Sequence, residues 1–219
     1  MNSVVIIPAY NPPIKFPKLI HYIKNKLFLD IIIIDDGSKP AIKLLNSENI
    51  YLLINKTNRG KGYSLIKAFK FAIEKGFTHA ITLDADFQHD PKYINDFISI
   101  NENIKIVYGK RNFKDAMPIH RRLSNTLTSY IISLICNVKI HDTQCGYRRY
   151  KLDEMQTYKF SQNGFQFETE VLFKIVKNPN SISHIDIPTI YNNSNSSIRI
   201  INDTLKFIKF VIKYLLIRK

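Results

Sequence analysis

Short apolar runs alternate with longer amphipathic stretches through the first half of the chain, and this alternation constrains the fold more than any other feature. Four runs have the length and β-branched composition of strands: residues 3–8, 31–34, 50–54 and 78–83. The run at 31–34 is four isoleucines without polar alternation, which is typical of a strand buried on both faces. The pattern predicts a parallel sheet flanked by helices, an α/β fold.

The stretches between these runs predict the flanking helices. Residues 15–27 and 62–75 are long enough, and in the second stretch apolar side chains recur at helical spacing: Leu65, Phe69, Ala72 and Ile73. A shorter segment at 41–45 separates the second and third strands. A fifth apolar run covers 104–108, and an apolar, hydroxyl-rich segment follows at 121–136.

Polar residues collect where the predicted strands end. The first three strands are followed by Pro8-Ala9-Tyr10-Asn11, Asp35-Asp36-Gly37-Ser38 and Asn58-Arg59-Gly60-Lys61-Gly62. In an open parallel sheet these ends form one rim, where ligands bind. Asp36 suits hydrogen bonds from a ribose, Tyr10 could cover a base, and Lys61 between its glycines could approach phosphates. Turn chemistry alone is the competing interpretation of each motif.

Two carboxylates follow the fourth strand. In an extended chain Asp84 and Asp86 would point the same way and could meet one hard cation, with Gln88 offering a third oxygen. Mg²⁺ uses one or two carboxylates plus substrate phosphates, and it would neutralise charge that builds on a departing diphosphate. An acidic turn without a metal is the alternative.

The residues after this motif predict the start of a helix. Asp90 is suited to cap it, and Pro91 suits its first turn. We interpret His89 as an exposed or helix-capping residue, because Mg²⁺ prefers oxygen ligands to imidazole.

Five motifs in order along the chain resemble the family 2 glycosyltransferases of the GT-A fold, in particular the polyprenyl-phosphate (dolichol-phosphate) mannose and glucose synthases. They are Ile7-Pro8-Ala9-Tyr10-Asn11, Ile34-Asp35-Asp36-Gly37-Ser38, Asn58-Arg59-Gly60-Lys61-Gly62, Asp84-Ala85-Asp86-Phe87-Gln88-His89 and Asp142-Thr143-Gln144-Cys145-Gly146-Tyr147-Arg148. One such motif is weak, whereas five in order are specific. The resemblance implies a Rossmann-like, mostly parallel sheet flanked by helices, here with a C-terminal amphipathic helix.

The resemblance also implies an inverting enzyme that moves a hexose from a UDP- or GDP-sugar to a polyprenyl phosphate. Mg²⁺ or Mn²⁺ would be bound by Asp84, Asp86 and Gln88. The expected donor-binding residues are Pro8, Ala9, Tyr10, Asn11, Asp35, Asp36, Lys61, Asp84, Ala85 and Arg111. The expected catalytic residues are Asp84, Asp86, Arg122 and Asp142.

Arginines bear on the acceptor, because their planar forks suit phosphate oxygens. Arginines at matching places in the resembled family contact the acceptor phosphate, which implies Arg111 and Arg122, with Arg121 as the competing register. A solvated basic face is the alternative interpretation.

The acceptor decides whether a catalytic base is needed. A phosphate is already ionised and can attack the anomeric carbon itself, whereas a sugar hydroxyl needs a carboxylate within reach. The candidates are Asp142, Glu168 and Glu170. The two glutamates lie at a predicted helix start, where the helix dipole alone favours acids. We expect Asp142, with the turn at 146–148, to organise the acceptor side.

Two segments differ from the family pattern. Pro12 and Pro13 follow Asn11, where the family often has an acidic residue, so the sequence does not distinguish UDP from GDP. Some members place an arginine before a Ser-Lys pair near the C-terminal end, which residues 191–199 lack. This segment instead predicts a Ser-rich turn before a terminal helix, which is similar to the bacterial members of the family.

Composition sets further bounds. The 219 residues suit one domain, in which we expect 1–110 to bind the nucleotide sugar, 111–199 to bind the acceptor, and 200–219 to form an amphipathic helix. The net charge of +14 suits anionic membranes, anionic substrates or nucleic acid. Two cysteines are too few for a disulfide framework, and no leader-like segment precedes the first strand, so we expect a cytoplasmic protein.

The C-terminal stretch predicts a contact with the membrane surface. No run of about 20 apolar residues is present, so we expect no crossing of the bilayer. Residues 204–219 instead place apolar residues at helical spacing and lysines on another face: Leu205, Ile208, Ile212 and Leu215 with Lys206, Lys209 and Lys213. Such a helix can lie at the cytoplasmic face of a membrane, pack on its own domain, or do both.

Other functions compete for the same features. A glycosyltransferase acting on a hydroxyl of a cell-surface glycan would need one of the candidate bases and no lipid. A non-catalytic nucleic-acid or membrane binder is suggested by the charge with 14 Phe and 12 Tyr, but no ribonucleoprotein or zinc-knuckle motif occurs, and we expect no nucleic acid partner. A nucleotidyltransferase would carry a glycine-rich loop after the first strand, and residues 8–11 contain no glycine.

Overall fold

The computed structural model describes residues 1–43, 48–113, 117–190 and 200–217, with the backbone alone at 200–204 and 217. Its strands are β1 Ser3–Ala9, β2 Asp30–Asp35, β3 Ile50–Ile54, β4 His79–Thr82, β5 Ile106–Arg111, β6 Arg148–Lys151 and β7 Ile182–Ile187. Its helices are α1 Phe16–Tyr22, α2 Lys61–Glu74, α3 Ile94–Ser99, α4 Ile119–Cys136, α5 Leu152–Thr157, α6 Gln166–Ile175 and α7 Ile200–Ile217. A π-helical turn, Ile23–Leu27, continues α1, and Pro91–Tyr93 is a 3₁₀ turn.

Within the described ranges the strands form one seven-stranded sheet in the order β3-β2-β1-β4-β6-β5-β7. All neighbouring pairs are parallel except those that β6 makes with β4 and β5. The mostly parallel α/β fold predicted from the sequence is therefore confirmed. Because β6 runs against its neighbours, its first residue lies at the same edge of the sheet as the last residues of β4 and β5.

The isoleucine run of β2 shows why the sheet carries a helical layer on each face. Successive side chains of a strand point to opposite faces. Ile32 and Ile34 enter one core with residues of α2, α4, α6 and α7, whereas Ile31 and Ile33 enter the other with residues of α1 and α3. All four isoleucines are fully buried, so the absence of polar alternation reflects a strand covered on both sides.

Most of the predicted elements lie within two residues of the observed ones; the fifth strand ends at Arg111, three residues later than predicted. Residues 41–43 are not helical, and 44–47 lie outside the described residues, as does the Ser-rich segment 191–199. The predicted turn at 146–148 is wrong at Arg148, which begins β6. This strand reads Arg-Arg-Tyr-Lys and has no apolar pattern, because its two arginines are buried through hydrogen bonds to backbone carbonyls.

None of the described helices combines the length and the apolar character that a membrane-spanning segment requires.

Candidate active site

The loops after the parallel strands meet at the carboxyl edge of the sheet, as the sequence predicted. The backbone N–H of Asn11, after β1, donates to Ser38 Oγ after β2 at 2.9 Å, and Asn11 Oδ1 accepts from Lys39 N at 2.8 Å. Tyr10 projects from this rim with 52% of its side chain exposed, whereas its neighbour Ala9 is buried. The exposed ring is free to cover a flat ligand.

Asp35 and Asp36 hold the rim together from inside. Asp35 is fully buried and accepts from the backbone N–H groups of Ser38 and Ile42. Asp36 is 4% exposed and accepts from Arg59 N, Gly60 N and the Asn55 amide at 2.8–2.9 Å. Both carboxylates therefore position the loops, and direct contact of either with a nucleotide stays a prediction.

Asp84 lies at the centre of a charged cluster beyond β4. Its Oδ1 is 2.6 Å from Lys61 Nζ, and the same ammonium is 3.0 Å from Glu168 Oε1. Burial by itself raises the pKa of Asp84, but Lys61 and the other charges around it outweigh burial and hold that pKa below its ordinary value. The pKa of Lys61 is raised, because the two carboxylates outweigh the opposing effect of its burial. Lys61 and Asp84 are therefore charged together at neutral pH.

Lys61 owes its position to the start of α2. It is the first residue of the helix, where the helix dipole disfavours a positive charge. The carboxylates of Asp84 and Glu168 compensate, and only 14% of the lysine side chain is exposed. The two carboxylate partners, and not the stability of the helix, therefore account for a lysine at this position.

The second carboxylate of the motif, Asp86, is arranged differently from the prediction. Residues 85 and 86 form a turn instead of an extended chain, and Asp86 Oδ1 accepts from Gln88 N at 3.0 Å across Phe87, whose φ is +61°. Burial and the neighbouring charge of Asp84 raise the pKa of Asp86. The extended-strand argument for the motif was therefore wrong, although the two carboxylates are close enough to repel.

These donors fit an open cation site. Within the ranges that the structure describes, no group of three or more His, Cys, Asp or Glu side chains is arranged to hold a metal ion. Asp84 and Asp86 repel each other, so a cation beside them would be stabilised. Mg²⁺ or Mn²⁺ typically takes one or two carboxylates, waters and substrate phosphates, which this pair of carboxylates matches better than a closed cage would. Gln88 as a third ligand stays a prediction.

His89 is not the exposed or helix-capping residue that the sequence predicted. It is 5% exposed, its ring contacts Tyr147 with centroids 5.3 Å apart, and its Nε2 is 3.9 Å from Asp84 Oδ2. Burial lowers its pKa to about 4, so the imidazole is neutral at pH 7. Asp90 is the predicted cap, but of the 3₁₀ turn Pro91–Tyr93 that leads into α3, where it accepts from Lys92 N.

Gly146 allows the loop before β6 to close over the cluster. A Cβ at this position would lie 2.5 Å from Asp84 Oδ2 and 2.7 Å from Lys61 Nζ, and only glycine leaves that space. Arg148 holds the same loop, donating to the carbonyls of Cys145, Thr143 and Glu168. The sequence motif around Gly146 signalled this loop, but not the contacts that it makes.

Asp142 and Arg111 pair with each other instead of facing substrates. Arg111 Nε and Nη2 donate to the two oxygens of Asp142 at 2.7 and 2.9 Å, and Asp142 is 1% exposed. A carboxylate buried in a bidentate ion pair is not placed to take a proton from an acceptor. Asp142 is thus a positioning residue in this structure, and a phosphate contact by Arg111 stays a prediction.

The remaining predicted residues are the candidate bases Glu168 and Glu170 and the exposed Arg122. Glu170 is 2% exposed, accepts from the backbone N–H groups of Ser161 and Gln162, and pairs with Lys174 at 2.6 Å, so it is not a free base either. Of the three candidate bases, only Glu168 lies in the Asp84 cluster. Arg122 lies exposed in the first turn of α4, and its role at an acceptor phosphate stays a prediction.

Comparison with known proteins identifies the family of the chain. The sequence profile described as glycosyl transferase family 2 matches residues 4–163. The match includes Lys61, Asp84 and Gly146, and it ends before Glu168.

Two curated relatives align over most of their length. The UDP-N-acetylglucosamine–dolichyl-phosphate N-acetylglucosaminyltransferase of Methanococcus voltae is 29% identical, over 85% of each chain. The polyprenol monophosphomannose synthase of Mycolicibacterium smegmatis is 20% identical, over 85% of this chain and 76% of that protein.

Among solved structures, glucosyl-3-phosphoglycerate synthase of Mycobacterium tuberculosis, in complex with Mn²⁺, UDP and glucosyl-3-phosphoglycerate, superposes with a TM-score of 0.71. It is 13% identical, and the match covers 99% of this chain and 79% of that one. At this identity the likeness establishes the fold alone.

Proposed function

The chain belongs to glycosyl transferase family 2, and from this membership we propose that it moves a hexose from a nucleoside-diphosphate sugar to a polyprenyl phosphate with inversion at the anomeric carbon. The donor is a UDP- or GDP-hexose. The relatives from Methanococcus voltae and Mycolicibacterium smegmatis support the lipid-phosphate acceptor, because their names specify dolichyl phosphate and polyprenol monophosphomannose.

The observation that carries the choice of acceptor is the state of the candidate bases. Asp142 is locked by Arg111, Glu170 holds the loop before α6, and Glu168 is paired with Lys61. A sugar hydroxyl would need one of these carboxylates to remove its proton, whereas a phosphate oxygen attacks without a base. The arrangement therefore favours the phosphate acceptor.

The chain's own residues have defined parts in this reaction. Tyr10 covers the nucleobase, and Lys61 supplies a positive charge beside the diphosphate. Arg122 orients the acceptor phosphate so that its oxygen attacks from the face opposite the leaving group. A divalent cation held by Asp84, Asp86 and Gln88 would neutralise the charge that builds on the departing diphosphate.

We also propose that the enzyme works at the cytoplasmic face of a membrane and touches it through α7. Five apolar side chains of this helix are 44–69% exposed: Leu205, Ile208, Ile212, Leu215 and Leu216. Three lysines accompany them: Lys206, Lys209 and Lys213. An apolar face flanked by positive charge suits the interface of an anionic bilayer.

The experiment that tests the function is a transfer assay with the purified chain. Radiolabelled UDP- and GDP-hexoses are incubated with Mn²⁺ or Mg²⁺, with and without undecaprenyl phosphate, and the label is extracted into organic solvent. Label in the organic phase that depends on the lipid supports the proposal and identifies the donor. Metal-dependent donor binding with no lipid labelling would instead favour a glycan hydroxyl, and no donor binding would contradict both functions.

A further inference from the structure

Helix α4 presents an apolar stripe to solvent that the reaction itself does not use. Five large side chains are 61–77% exposed: Ile119, Leu123, Leu127, Tyr130 and Leu134. Their spacings of four, four, three and four residues place them on one side of the helix, in a line about 22 Å long. A continuous exposed apolar line of this kind marks an interaction surface.

The orientation of the stripe is fixed by the opposite side of α4. Asn125, Ser129, Ile132 and Cys136 are buried there. Ser129 Oγ accepts from Thr143 N at 3.0 Å, and Cys136 Sγ lies 3.8 Å from the carbonyl of Leu172 in α6. The helix therefore cannot turn its stripe inward without losing these contacts.

A further contact of α4 connects the stripe to the loop at the candidate active site. Thr128 Oγ1 accepts from the Gln144 amide at 3.1 Å, and Gln144 is two residues from Gly146, which closes over Asp84 and Lys61. Since a helix with its side chains is about 10 Å across, whatever lies against the stripe is separated from this loop by about one helix.

The charges around the stripe indicate what covers it. The 18 residues of α4 contain no Asp or Glu, and Arg121 and Arg122 stand in its first turn. Helices α4 and α7 both pack on α6, and α7 has its own exposed apolar residues with three lysines. Two copies pairing through α4 would bring positive surfaces of molecules with a net charge of +14 together.

We propose that the α4 stripe docks the protein onto the surface of an anionic lipid bilayer, together with α7. The proposal deepens the proposed function, on which it rests, since docking through α4 holds the loop before β6 within about one helix diameter of the membrane surface. Apolar side chains enter the acyl boundary, and exposed Arg122 in the first turn lies at the level of the anionic headgroups, where the phosphate of a lipid acceptor also lies.

Co-sedimentation of the full chain with vesicles tests this surface. Phosphatidylcholine vesicles with and without phosphatidylglycerol are compared for wild type, Leu127→Glu, Ser124→Glu and Ile212→Glu. Ser124 is an exposed residue of α4 that borders the stripe but lies about 100° around the helix from its centre, so its variant adds the same charge outside the apolar line. We expect Leu127→Glu to weaken binding to the anionic vesicles at least about tenfold and Ser124→Glu less than about threefold.

Two outcomes would overturn the docking proposal. Unchanged vesicle binding by Leu127→Glu, with loss only in Ile212→Glu, would mean that α7 docks alone. A fall in molar mass by light scattering for Leu127→Glu, with vesicle binding unchanged, would make the stripe a contact between copies. Circular dichroism of each variant checks that the fold is retained.

A water-soluble, short-chain isoprenyl phosphate separates this proposal from the proposed function. If the stripe only docks, Leu127→Glu turns over this acceptor as wild type does. If wild type binds anionic vesicles through the stripe but transfers hexose to no acceptor, the docking surface stands and the proposed function fails.

A second inference follows from the ion pair of Lys61 with Asp84. The ammonium lies 2.6 Å from the oxygen of a predicted metal ligand and 3.0 Å from Glu168, and Gly146 closes over both Asp84 and Lys61. A divalent cation that reaches Asp84 must share this carboxylate with an ammonium group, and the two positive charges repel.

We propose that Lys61 is a built-in counter-ion of Asp84 that keeps a divalent cation weakly bound until a diphosphate arrives. Phosphate oxygens give the ammonium an alternative partner, so donor and cation then bind together. This inference rests on the metal site of the proposed function. It adds that tight binding of the cation requires the donor diphosphate.

Mn²⁺ binding measured by electron paramagnetic resonance tests the inference without an activity readout. The full chain is titrated with Mn²⁺ alone and with Mn²⁺ plus UDP, for wild type, Lys61→Met and Lys70→Met. Lys70 is an exposed lysine of the same helix and serves as the control. We expect Lys61→Met to bind Mn²⁺ alone at least about tenfold more tightly than wild type and to gain less from UDP.

Equal or weaker Mn²⁺ binding by Lys61→Met would overturn the counter-ion proposal while leaving the metal site in place. If neither wild type nor Lys61→Met binds Mn²⁺ even with UDP present, the metal assignment of the proposed function fails and the counter-ion proposal fails with it.

Discussion

At the scale of single residues, the two carboxylates of the candidate active site differ in how well a positive charge balances them. Asp84 has Lys61 at 2.6 Å and a lowered pKa, whereas Asp86 has a raised pKa because of burial and the charge of Asp84. One carboxylate of the pair is thus stabilised by the folded protein, and the other is held there at a cost in stability. Such a cost is typical of groups kept for function.

Replacing Asp86 with Asn tests that distinction. A carboxyl whose pKa is raised on folding destabilises the protein as the pH rises from its unfolded pKa through its folded pKa. We therefore expect the melting temperature of Asp86→Asn at pH 7 to equal or exceed that of wild type, while hexose transfer falls at least about 100-fold. Asp153→Asn, at an exposed position, serves as the control for both measurements. Full activity of Asp86→Asn would remove Asp86 from the metal site.

Glu168 decides between the two acceptors. If the acceptor is a phosphate, Glu168→Gln loses only the ion pair with Lys61, and we expect kcat to fall less than about tenfold. If a sugar hydroxyl is the acceptor, loss of the base should lower kcat about 100- to 10,000-fold. Steady-state kinetics with the lipid acceptor, with exposed Glu74→Gln as the control, distinguishes the two.

At the scale of elements, the loop before β6 connects the helical layer to the candidate active site. Arg148 donates to three carbonyls from a fully buried position, and Ser129 of α4 contacts Thr143 of the same loop. Buried carbonyls left without these donors would each cost about 1–3 kcal/mol. The loop is therefore held rigidly where Gly146 meets Asp84 and Lys61.

Two glycine-to-alanine changes separate close packing from backbone strain. In Gly146→Ala the new Cβ lies 2.5 Å from Asp84 Oδ2, so we expect transfer activity to fall at least about tenfold and stability by about 1–3 kcal/mol. Gly76 has a φ of +82°, and a Cβ there would meet no other heavy atom within 4 Å. Gly76→Ala should therefore cost about 1 kcal/mol of strain and leave activity intact. Urea unfolding and transfer assays of both variants test this, and equal activities would contradict it.

At the scale of the whole molecule, buried histidines make stability depend on pH. The pKa values of His79 and His89 are both lowered, chiefly by burial, the latter to about 4. The unfolded chain therefore binds more protons between the folded and unfolded pKa values, and stability is lost as the pH falls from about 6.5 towards 4. For His89 this loss is on the order of 3 kcal/mol.

Urea unfolding at a series of pH values measures this loss. We expect the free energy of unfolding to rise with pH across that interval, and we expect His89→Phe to show a shallower rise. A wild-type curve that is flat across the interval would contradict the buried, neutral state of His89.

The chain by itself determined the architecture and the order of its functional motifs. The isoleucines at 31–34 indicate a strand buried on both faces, and the loops after each parallel strand must meet at one edge of the sheet. The five motifs in order identified the family, because their positions at the ends of strands can be read from the sequence without knowledge of distant contacts. Strands and the loops after them are local features, so the spacing of apolar residues and the turn-forming residues predict them directly.

Only the tertiary structure decided which of those residues face a ligand and which hold the protein together. Asp142 meets Arg111 across 31 positions of sequence, and Lys61 meets Glu168 across more than a hundred, so no local pattern could pair them. His89 was predicted to be exposed or to cap a helix because Mg²⁺ prefers oxygen ligands to imidazole, yet Tyr147 covers its ring. Burial and ion pairing depend on contacts between distant segments, and these set the charge state and accessibility of every candidate catalytic group.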